Sequence, residues 1–196
     1  MTTLIMATNN AHKLQEVRQI LGSAFEVKGL ADIGCHEDIP EDADTLEGNA
    51  LQKARYVHQH YGVDCFADDT GLEVEALGGA PGVYTARYGS MNGYGESHSA
   101  DANNACLLDK LQGETNRKAR FCTVIALIQG SEEHLFEGIV EGDILPAKCG
   151  SEGFGYDPVF APEGRGIAFA EMSAEEKNAI SHRGRAMARL TEYLKQ

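Results

Sequence analysis

The fold of this chain is decided by one stretch, Cys65-Phe66-Ala67-Asp68-Asp69-Thr70-Gly71-Leu72. An apolar run passes directly into two adjacent carboxylates, a hydroxyl and a glycine, and this order predicts a buried strand that ends in a turn. In α/β proteins, ligands bind at the carboxyl ends of such strands. Two acids at that edge could hold a hard cation such as Mg²⁺ through oxygen, and one of them could accept a proton from water. A second interpretation is equally open, in which both aspartates only stabilise an Asx-type turn by accepting from backbone N–H groups.

The composition predicts a globular protein with one domain over residues 1–196. With 196 residues, of which 42% are hydrophobic and 24% charged, the chain is long enough to bury a core. Its longest apolar run, Val124-Ile125-Ala126-Leu127-Ile128, is too short to span a bilayer, and Met1-Thr2-Thr3 lacks the basic start of a signal peptide. The five cysteines form no C-x-x-C pair, so neither a disulfide framework nor a zinc site is expected. We therefore expect a cytoplasmic protein with no membrane partner.

The net charge argues against binding to a long nucleic acid. Formal charges sum to −13, because 17 lysines and arginines face 30 aspartates and glutamates. A protein that grips DNA or RNA instead presents a basic face to the phosphates. A small anionic ligand is still possible, because it needs only a local cluster of positive groups.

A polar loop follows the first predicted strand. Residues 3–7 are predicted to form a buried strand, and apolar residues at helical spacing between Leu14 and Leu21 predict a helix. The connection Thr8-Asn9-Asn10-Ala11-His12-Lys13 therefore lies at a helix N-terminus, where free N–H groups and the helix dipole favour phosphate. The simpler interpretation is that Asn10 only caps the helix and Lys13 is a solvated first-turn residue.

The remaining pattern predicts alternating strands and helices. Helices are predicted at residues 46–61 and 99–111, from a capping box at Ser173, and around residues 187–194; strands are predicted at residues 25–27, 72–76, 119–129 and 134–144, the last two joined as a hairpin. On the helix of residues 46–61, Asn49 suits a first turn and Lys53 is expected to be a solvated charge. Glu41 belongs either to a solvated acidic loop or to a metal site.

Two further stretches carry possible binding groups. Glycines surround Phe154 in Gly150-Ser151-Glu152-Gly153-Phe154-Gly155-Tyr156-Asp157-Pro158, so its ring could stack on a nucleobase, a contact worth roughly 1–3 kcal/mol. In Ser181-His182-Arg183-Gly184, two side chains could donate hydrogen bonds to a carbonyl or a phosphate. The simpler interpretations are that the aromatic residues of the first stretch anchor the core and that the second contains surface capping groups.

Six motifs in order resemble those of the inosine triphosphate pyrophosphatase family, also called the non-canonical purine NTP diphosphatases. They are Ala7-Thr8-Asn9-Asn10 with Lys13, Asn49-Ala50 with Lys53-Ala54, Ala67-Asp68-Asp69-Thr70-Gly71-Leu72, Leu77-Gly78-Gly79-Ala80-Pro81-Gly82, Phe154-Gly155-Tyr156-Asp157-Pro158 and Glu176-Lys177-Asn178-Ala179-Ile180-Ser181-His182-Arg183. The resemblance covers nearly the whole chain, and the motifs in register are far more specific than any one of them.

The resemblance implies an α/β fold with an elongated mixed β-sheet, flanking helices and two lobes around a central cleft that holds the active site. It implies that a homodimer hydrolyses ITP, dITP and XTP to the monophosphate and pyrophosphate with Mg²⁺. Carried over by position, Asp69 is the general base and a metal ligand, and Asp68 and Glu41 support the metal. The implied substrate-binding residues are Thr8, Asn9, Asn10 and Lys13 at the triphosphate, with Thr70, Phe154, Gly155, Tyr156, Asp157, Lys177, His182 and Arg183.

The chain departs from the family pattern at three places. Gly48 stands where many members carry a second glutamate, which weakens the expectation of metal support from that helix. Asn9 replaces a common glycine, and the loop of residues 89–96 has a counterpart that varies among members.

Three other functions are open from the sequence. A nucleotide-binding module without catalysis would release no pyrophosphate. A pyrophosphatase of the Maf type would act on other nucleotides, although Ser181-His182-Arg183 points away from that family. A phosphomonoesterase with an Asp-Asp metal site would release orthophosphate.

Overall fold

The computed structural model describes residues 2–196, and the chain divides into two compact units. The first unit comprises residues up to Asp69 together with Thr123–Gly138 and Ser181–Gln196, and the second comprises Thr70–Cys122 and Ile139–Ile180. The division falls inside three long strands, so each unit receives part of every one of them. That residues 1–196 behave as one domain stays a prediction.

The helices and strands follow one another in a mixed order. The helices are α1 (Ala11–Leu21), α2 (Leu46–Tyr61), α3 (Tyr88–Met91), α4 (Ala100–Lys110), α5 (Ala174–Ile180) and α6 (His182–Leu194); the strands are β1 (Thr2–Ile5), β2 (Phe25–Lys28), β3 (Cys65–Val74), β4 (Lys118–Gln129), β5 (Glu132–Ile144) and β6 (Phe160–Pro162). The α/β class predicted from the sequence is confirmed. Among residues 2–196, no helix combines the length and the apolar character that crossing a membrane requires.

The first unit is built around a short parallel pair of strands. Strands β1 and β2 pair from Thr2↔Phe25 to Ile5↔Lys28. Directly after β1, the N–H of Met6 donates to the carbonyl of Lys28, and Met6 forms a parallel bridge with Phe66 of β3. The carboxyl end of β1 therefore lies beside the first residues of β3. Because both chains run into polar residues there, the loop after β1 and the two aspartates of β3 are brought together.

The apolar core of the first unit packs its helices against these strands. Val17 of α1, Phe66 of β3 and Leu127 of β4 pack in one cluster with Met187 and Leu190 of α6. The apolar residues of α1 and α6 recur at helical spacing, so each helix buries one face and leaves the other in water. Strands and helices of this unit thus hold the N-termini of α1 and α6 as parts of one packed body.

The second sheet contains four strands in the order β3-β4-β5-β6. Only two residues connect β4 to its neighbour β5, which confirms the predicted hairpin, and β6 pairs antiparallel with β5 from Gly142↔Pro162 to Ile144↔Phe160. In the second unit, a core with Leu107, Phe121 and Phe169 packs on this sheet.

The predicted turn at the two aspartates is wrong. Strand β3 continues without a break from Cys65 to Val74, so Asp68 and Asp69 lie in mid-strand and residues 72–74 belong to the same strand. Aspartate is normally depleted in strands, but here buried cations compensate the charge, as shown below. Successive strand residues point to opposite faces, which explains why the Asp68 side chain is 1% exposed and that of Asp69 is 13% exposed.

Candidate functional site

The loop before α1 is a helix N-terminus capped by its own side chains. The Asn10 Oδ1 atom accepts from the backbone N–H of His12 at 3.0 Å and of Lys13 at 3.1 Å, and Thr8 Oγ1 accepts from the Asn10 N–H at 3.1 Å. The capping interpretation of Asn10 is therefore confirmed. Asn9 and Asn10 are exposed and Thr8 is half-buried, so the loop is open to a ligand, and its predicted phosphate contacts stay a prediction.

Lys13 is not the solvated residue that its position suggested. Its side chain is 14% exposed, and its Nζ atom lies 3.3 Å from Asp68 Oδ1. Burial lowers the pKa of Lys13, nearby Lys53 and Arg183 lower it further, and Asp68 opposes this shift. Lys13 is thus a partly desolvated cation at the edge where β1 and β3 meet.

Asp68 is the centre of a buried charge cluster. Lys13 contacts one of its oxygens, and Arg183 Nε contacts the other at 3.1 Å. Burial alone would raise the pKa of Asp68, but Lys13, Arg183 and Lys53 overcome it and hold the pKa well below its usual range. Asp68 therefore stays ionised and is engaged by protein cations. The direct metal contact implied by the resemblance stays a prediction.

Arg183 is buried at the start of α6 and contacts two acids of its own unit. Its side chain is 1% exposed, and its Nη1 atom lies 2.5 Å from Glu16 Oε2 while Nε contacts Asp68. The residue that caps α6 is Ser181, whose Oγ accepts from the Gly184 N–H at 3.0 Å, and His182 is also buried. The interpretation of the dipeptide as surface capping groups is wrong. Contact of either side chain with a purine stays a prediction.

Glu16 was missed in the sequence. It is a buried acid on α1, and it contacts Arg183 at Nη1, whereas Asp68 contacts Nε. The signal that could have found it is helical spacing, because Glu16 lies three residues after Lys13, on the face that also carries Ile20. An acid at that position needs a buried partner.

Asp69 lies in a different environment from its neighbour. Asn49 Nδ2 donates to Asp69 Oδ2 at 3.1 Å, and Lys53 Nζ lies 3.8 Å from Asp69 Oδ1. Burial raises the pKa of Asp69, and the nearby lysines and the Asn49 hydrogen bond only partly oppose this shift. The pKa values of the two adjacent aspartates are thus shifted in opposite directions, that of Asp68 downwards and that of Asp69 upwards.

Lys53 joins the acids of this site. Its Nζ atom lies 2.5 Å from Glu41 Oε1 and 2.6 Å from the carbonyl oxygen of Asp68. Burial would lower the pKa of Lys53, but Asp69, Glu41 and Asp68 outweigh it and raise the pKa. The prediction of a solvated charge is wrong, because the Lys53 side chain is 8% exposed. Glu41, in contrast, is 43% exposed and lies at the open side of the cluster.

The carboxylates fit a magnesium ion shared with a phosphate. Asp69 and Glu41 are hard oxygen donors, both close to Lys53, and both are more open than Asp68. In residues 2–196, no group of three or more histidines, cysteines or acids is arranged to hold a metal. Mg²⁺ is usually bound by one or two carboxylates, with phosphates and water completing its octahedron. Asp69 and Glu41 could therefore supply the protein oxygens for Mg²⁺ that arrives with a triphosphate.

The second unit assembles the aromatic loop. Asp157 Oδ2 accepts from the Phe154 N–H at 2.9 Å and from Lys177 Nζ at 2.7 Å. Lys177 Nζ also lies 4.9 Å from the centroid of the Phe154 ring. Phe154 is partly exposed, whereas Tyr156 is buried and its hydroxyl donates to the carbonyl of Thr85 at 2.6 Å. The core-anchor interpretation is therefore confirmed for Tyr156, and Phe154 keeps part of its surface in solvent.

The backbone of this loop is held by a residue that the sequence did not indicate. Asn104 of α4 donates from Nδ2 to the carbonyl of Gly155 at 2.9 Å and to that of Ala100 at the same distance. Asn104 is buried, so the loop is fixed from its inner side. Thr70, the first residue of the second unit, is half-buried in β3, and its predicted contact with substrate stays a prediction.

Gly153→Ala should disrupt the aromatic loop. Gly153 has φ +73°, and an added Cβ would lie 2.1 Å from Asp157 Oδ2, the atom that holds Phe154 and Lys177. Gly155→Ala is the matched control, because Gly155 has a similar φ of +61° but open space where the Cβ would stand. Left-handed strain of about 1–3 kcal/mol is common to both variants. We expect thermal unfolding to show a larger loss of stability for Gly153→Ala than for Gly155→Ala. Equal losses of stability would mean that the Asp157 side chain has room to move.

Comparison with known proteins identifies relatives along the whole chain. The model of the family described as the Ham1 family matches residues 4–193. A dITP/XTP pyrophosphatase of Porphyromonas gingivalis is 58% identical, covering 99% of this chain and 98% of the relative. A dITP/XTP pyrophosphatase of Flavobacterium psychrophilum is 52% identical, covering 98% of both chains.

Solved structures agree with these sequence relatives. The Staphylococcus aureus Ham1 protein superposes with a TM-score of 0.86 at 36% identity, covering 99% of this chain and 98% of that one. A HAM1 protein from Coxiella burnetii superposes with a TM-score of 0.87 at 33% identity, covering 100% and 99%. The resemblance predicted from the six motifs is confirmed.

Proposed function

Because this chain belongs to the Ham1 family, we propose that it hydrolyses dITP, XTP and ITP to the nucleoside monophosphate and pyrophosphate. The names of the relatives at 58% and 52% identity support this substrate class. One observation carries the proposal for this chain itself. Adjacent aspartates of one strand are differentiated, Asp68 held ionised by buried cations and Asp69 left more open with a raised pKa.

Asp69 is the proposed general base. A carboxylate with a pKa raised by burial is a stronger base than an ordinary aspartate. Asn49 and Lys53 contact its two oxygens and fix its orientation. We propose that Asp69 accepts the proton of the water that attacks the α-phosphorus, while the bond from this phosphorus to the α–β bridging oxygen breaks and pyrophosphate leaves.

Asp69 and Glu41 are the proposed holders of Mg²⁺. When bound, the ion neutralises charge on the phosphate oxygens and orients them for displacement. Lys53 already contacts Glu41 and approaches Asp69, so it keeps these acids together and compensates their charge. Lys13, at the N-terminus of α1 beside the exposed Asn9 and Asn10, is the proposed partner of the triphosphate oxygens.

The purine is assigned to the aromatic loop. Phe154 offers a ring for stacking. Lys177 carries donors only, and because Asp157 fixes it beside that ring, it can donate to the 6-carbonyl of hypoxanthine or xanthine. His182 and Arg183 are further donors, which the resemblance assigns to the substrate and which we propose also face the base. Adenine presents a donor at the same position, and a site built on such hydrogen bonds can reject a mismatched analogue by roughly 10⁴-fold.

The test is a substrate panel in which the product is identified. Purified protein is incubated with ITP, dITP, XTP, GTP and ATP in the presence of Mg²⁺, and inorganic products are separated chromatographically. We expect pyrophosphate from ITP, dITP and XTP, and kcat/KM for ATP about 10⁴-fold lower. Orthophosphate as the direct product would indicate a phosphomonoesterase, and tight binding without any product would indicate a binding module. Pyrophosphate released mainly from other nucleotides would indicate activity of the Maf type.

We further propose that the enzyme is a homodimer and works on free nucleotides in the cytoplasm. Sedimentation equilibrium of the purified chain tests the first point. A mass that stays at 21.2 kDa over the whole concentration range would contradict it.

Lys13→Ala should weaken the binding of ITP, dITP and XTP equally. The ammonium would contact phosphate oxygens, which the three substrates share, and a charged hydrogen bond is worth about 1.5–3 kcal/mol, so KM should rise about 10- to 100-fold for each. Lys28→Ala is the control, because the Lys28 side chain is 43% exposed and, among residues 2–196, its ion pair is with Glu26 alone, at 3.6 Å. If KM rose for only one of the three triphosphates, Lys13 would be assigned to the purine instead of the phosphates.

A further inference from the structure

Asn49 bridges the acidic loop before α2 and the strand that carries Asp69. It is 2% exposed. Its Oδ1 atom accepts from the Ala43 N–H at 2.9 Å, and its Nδ2 atom donates to Asp69 Oδ2 at 3.1 Å. Only this orientation of the amide satisfies both partners, because a backbone N–H can only donate and an ionised carboxylate can only accept.

Asn49 and Lys53 act from the same face of α2. They lie four residues apart, and side chains at that spacing are neighbours on a helix. Asn49 contacts one oxygen of Asp69, and Lys53 approaches the other at 3.8 Å. The same two side chains hold the acidic loop, Lys53 at Glu41 and Asn49 at Ala43. The two proposed metal-binding acids are therefore tied to each other through one helical turn.

We infer that Asn49 is a positioning residue, which orients the Asp69 carboxylate and sets its spacing from Glu41 so that both acids present oxygen to one divalent cation. The inference rests on the proposed function, since that function assigns these acids to Mg²⁺. Without the amide, Asp69 would keep the contact with Lys53 but lose the hydrogen bond that defines its rotation. The loop would lose its hydrogen bond at Ala43 at the same time.

The experiment compares Asn49→Ala with Gln52→Ala. Gln52 holds the same loop from the same helix, because it exchanges hydrogen bonds with Asp42 at 3.1 and 2.7 Å. Among residues 2–196, these are the hydrogen bonds of its side chain, so it does not reach Asp69. The two variants thus separate the holding of the loop from the orientation of Asp69.

The main readout is binding of Mn²⁺, used as a paramagnetic substitute for Mg²⁺. It is measured by electron paramagnetic resonance with and without a hydrolysis-resistant α,β-imido analogue of ITP. Loss of an outer partner of a metal ligand typically costs about 10- to 100-fold in metal affinity, and we expect this loss for Asn49→Ala. Gln52→Ala should stay within about 2-fold of the wild type, as expected for a surface substitution.

A kinetic readout accompanies the binding data. At saturating Mg²⁺, Asn49→Ala should lower kcat for ITP and leave KM unchanged, because Asn49 contacts Asp69 and is assigned no contact with the nucleotide. If Asn49→Ala does not fold, Asn49→Ser is used, since serine is polar but too short to reach Asp69, and the same losses are expected. Unchanged Mn²⁺ affinity in the alanine or serine variant, or an equal loss in Gln52→Ala, would overturn the inference.

Failure of the inference can be told apart from failure of the proposed function. If the wild type releases no pyrophosphate from any triphosphate, the proposed function fails. The comparison of Mn²⁺ affinities between Asn49→Ala and Gln52→Ala still decides the role of Asn49, because it requires no turnover.

Discussion

Replacing Asp69 with asparagine is expected to lower kcat for ITP hydrolysis by about 10²–10⁴-fold, the usual effect of removing a positioned general base. Asparagine keeps the shape of the side chain but cannot accept a proton from water. It also removes one of the two carboxylates assigned to Mg²⁺. Because the base is missing, the loss of activity should persist at saturating Mg²⁺. It is measured as pyrophosphate release under single-turnover conditions.

The same substitution should leave the fold nearly as stable as the wild type. Burial disfavours the charge of Asp69, as the raised pKa shows, so a neutral side chain removes that cost. It also removes a charge that supports Lys53, but Glu41 still contacts this lysine at 2.5 Å. We expect a change in unfolding free energy within about 1 kcal/mol. Hydrolysis of ITP at a near wild-type rate would exclude Asp69 as the base, and a large loss of stability would reassign it to a structural role.

The aspartate pair shows how far a single sequence can lead. The order of residue types around Asp68 and Asp69 predicted two acids directly after a buried apolar segment of a strand, and the structure has them there. The predicted turn does not form. Strand propensities describe aspartates that are exposed to solvent, and they take no account of buried cations that neutralise the charge. With Lys13 and Arg183 contacting Asp68, the strand continues, and the alternation of its faces gives the two acids different environments.

Partners far apart in the chain were the least predictable part of the site. Arg183 meets Glu16 across 167 positions, and Lys53 meets Glu41 across 12. Spacing within one helix could indicate that Glu16 or Lys53 lies on a buried face, but the pairing depends on how β1 and β3 join at one edge. Capping boxes and apolar stripes were easier, because their partners lie within four residues: Ser173 and Glu176 exchange the predicted hydrogen bonds.

Asp68→Asn is expected to destabilise the protein by about 3 kcal/mol, because breaking a buried ion pair leaves its partner charge uncompensated. Lys13 would lose its contact at 3.3 Å, and Arg183 would lose its contact at 3.1 Å while keeping the one with Glu16. At about 2–4 °C per kcal/mol for a chain of this size, the melting temperature should fall by roughly 6–12 °C. Calorimetry of wild type, Asp68→Asn and Asp69→Asn measures the contrast between adjacent positions of one strand.

The stability that Asp68 contributes should depend on pH in a direction that follows from its pKa. The pKa of Asp68 is depressed in the folded state, so its contribution to stability is fully present above the pKa of an unfolded aspartate, about 3.9. It is lost as the pH falls through the lower pKa of the folded state. The difference in stability between the wild type and Asp68→Asn should therefore be constant from pH 8 to 5 and shrink only below about pH 4.

A double variant tests whether an uncompensated buried charge causes the loss of stability in Asp68→Asn. Adding Lys13→Met to Asp68→Asn removes one of the two cations that lost their partner, and the methionine fills similar space. If the loss comes from uncompensated charge, the double variant should recover part of it, and the two changes should be non-additive, as expected for residues in contact. The explanation is wrong if Asp68→Asn has the same unfolding free energy as the wild type. It is also wrong if the losses of unfolding free energy from Asp68→Asn and Lys13→Met simply add in the double variant.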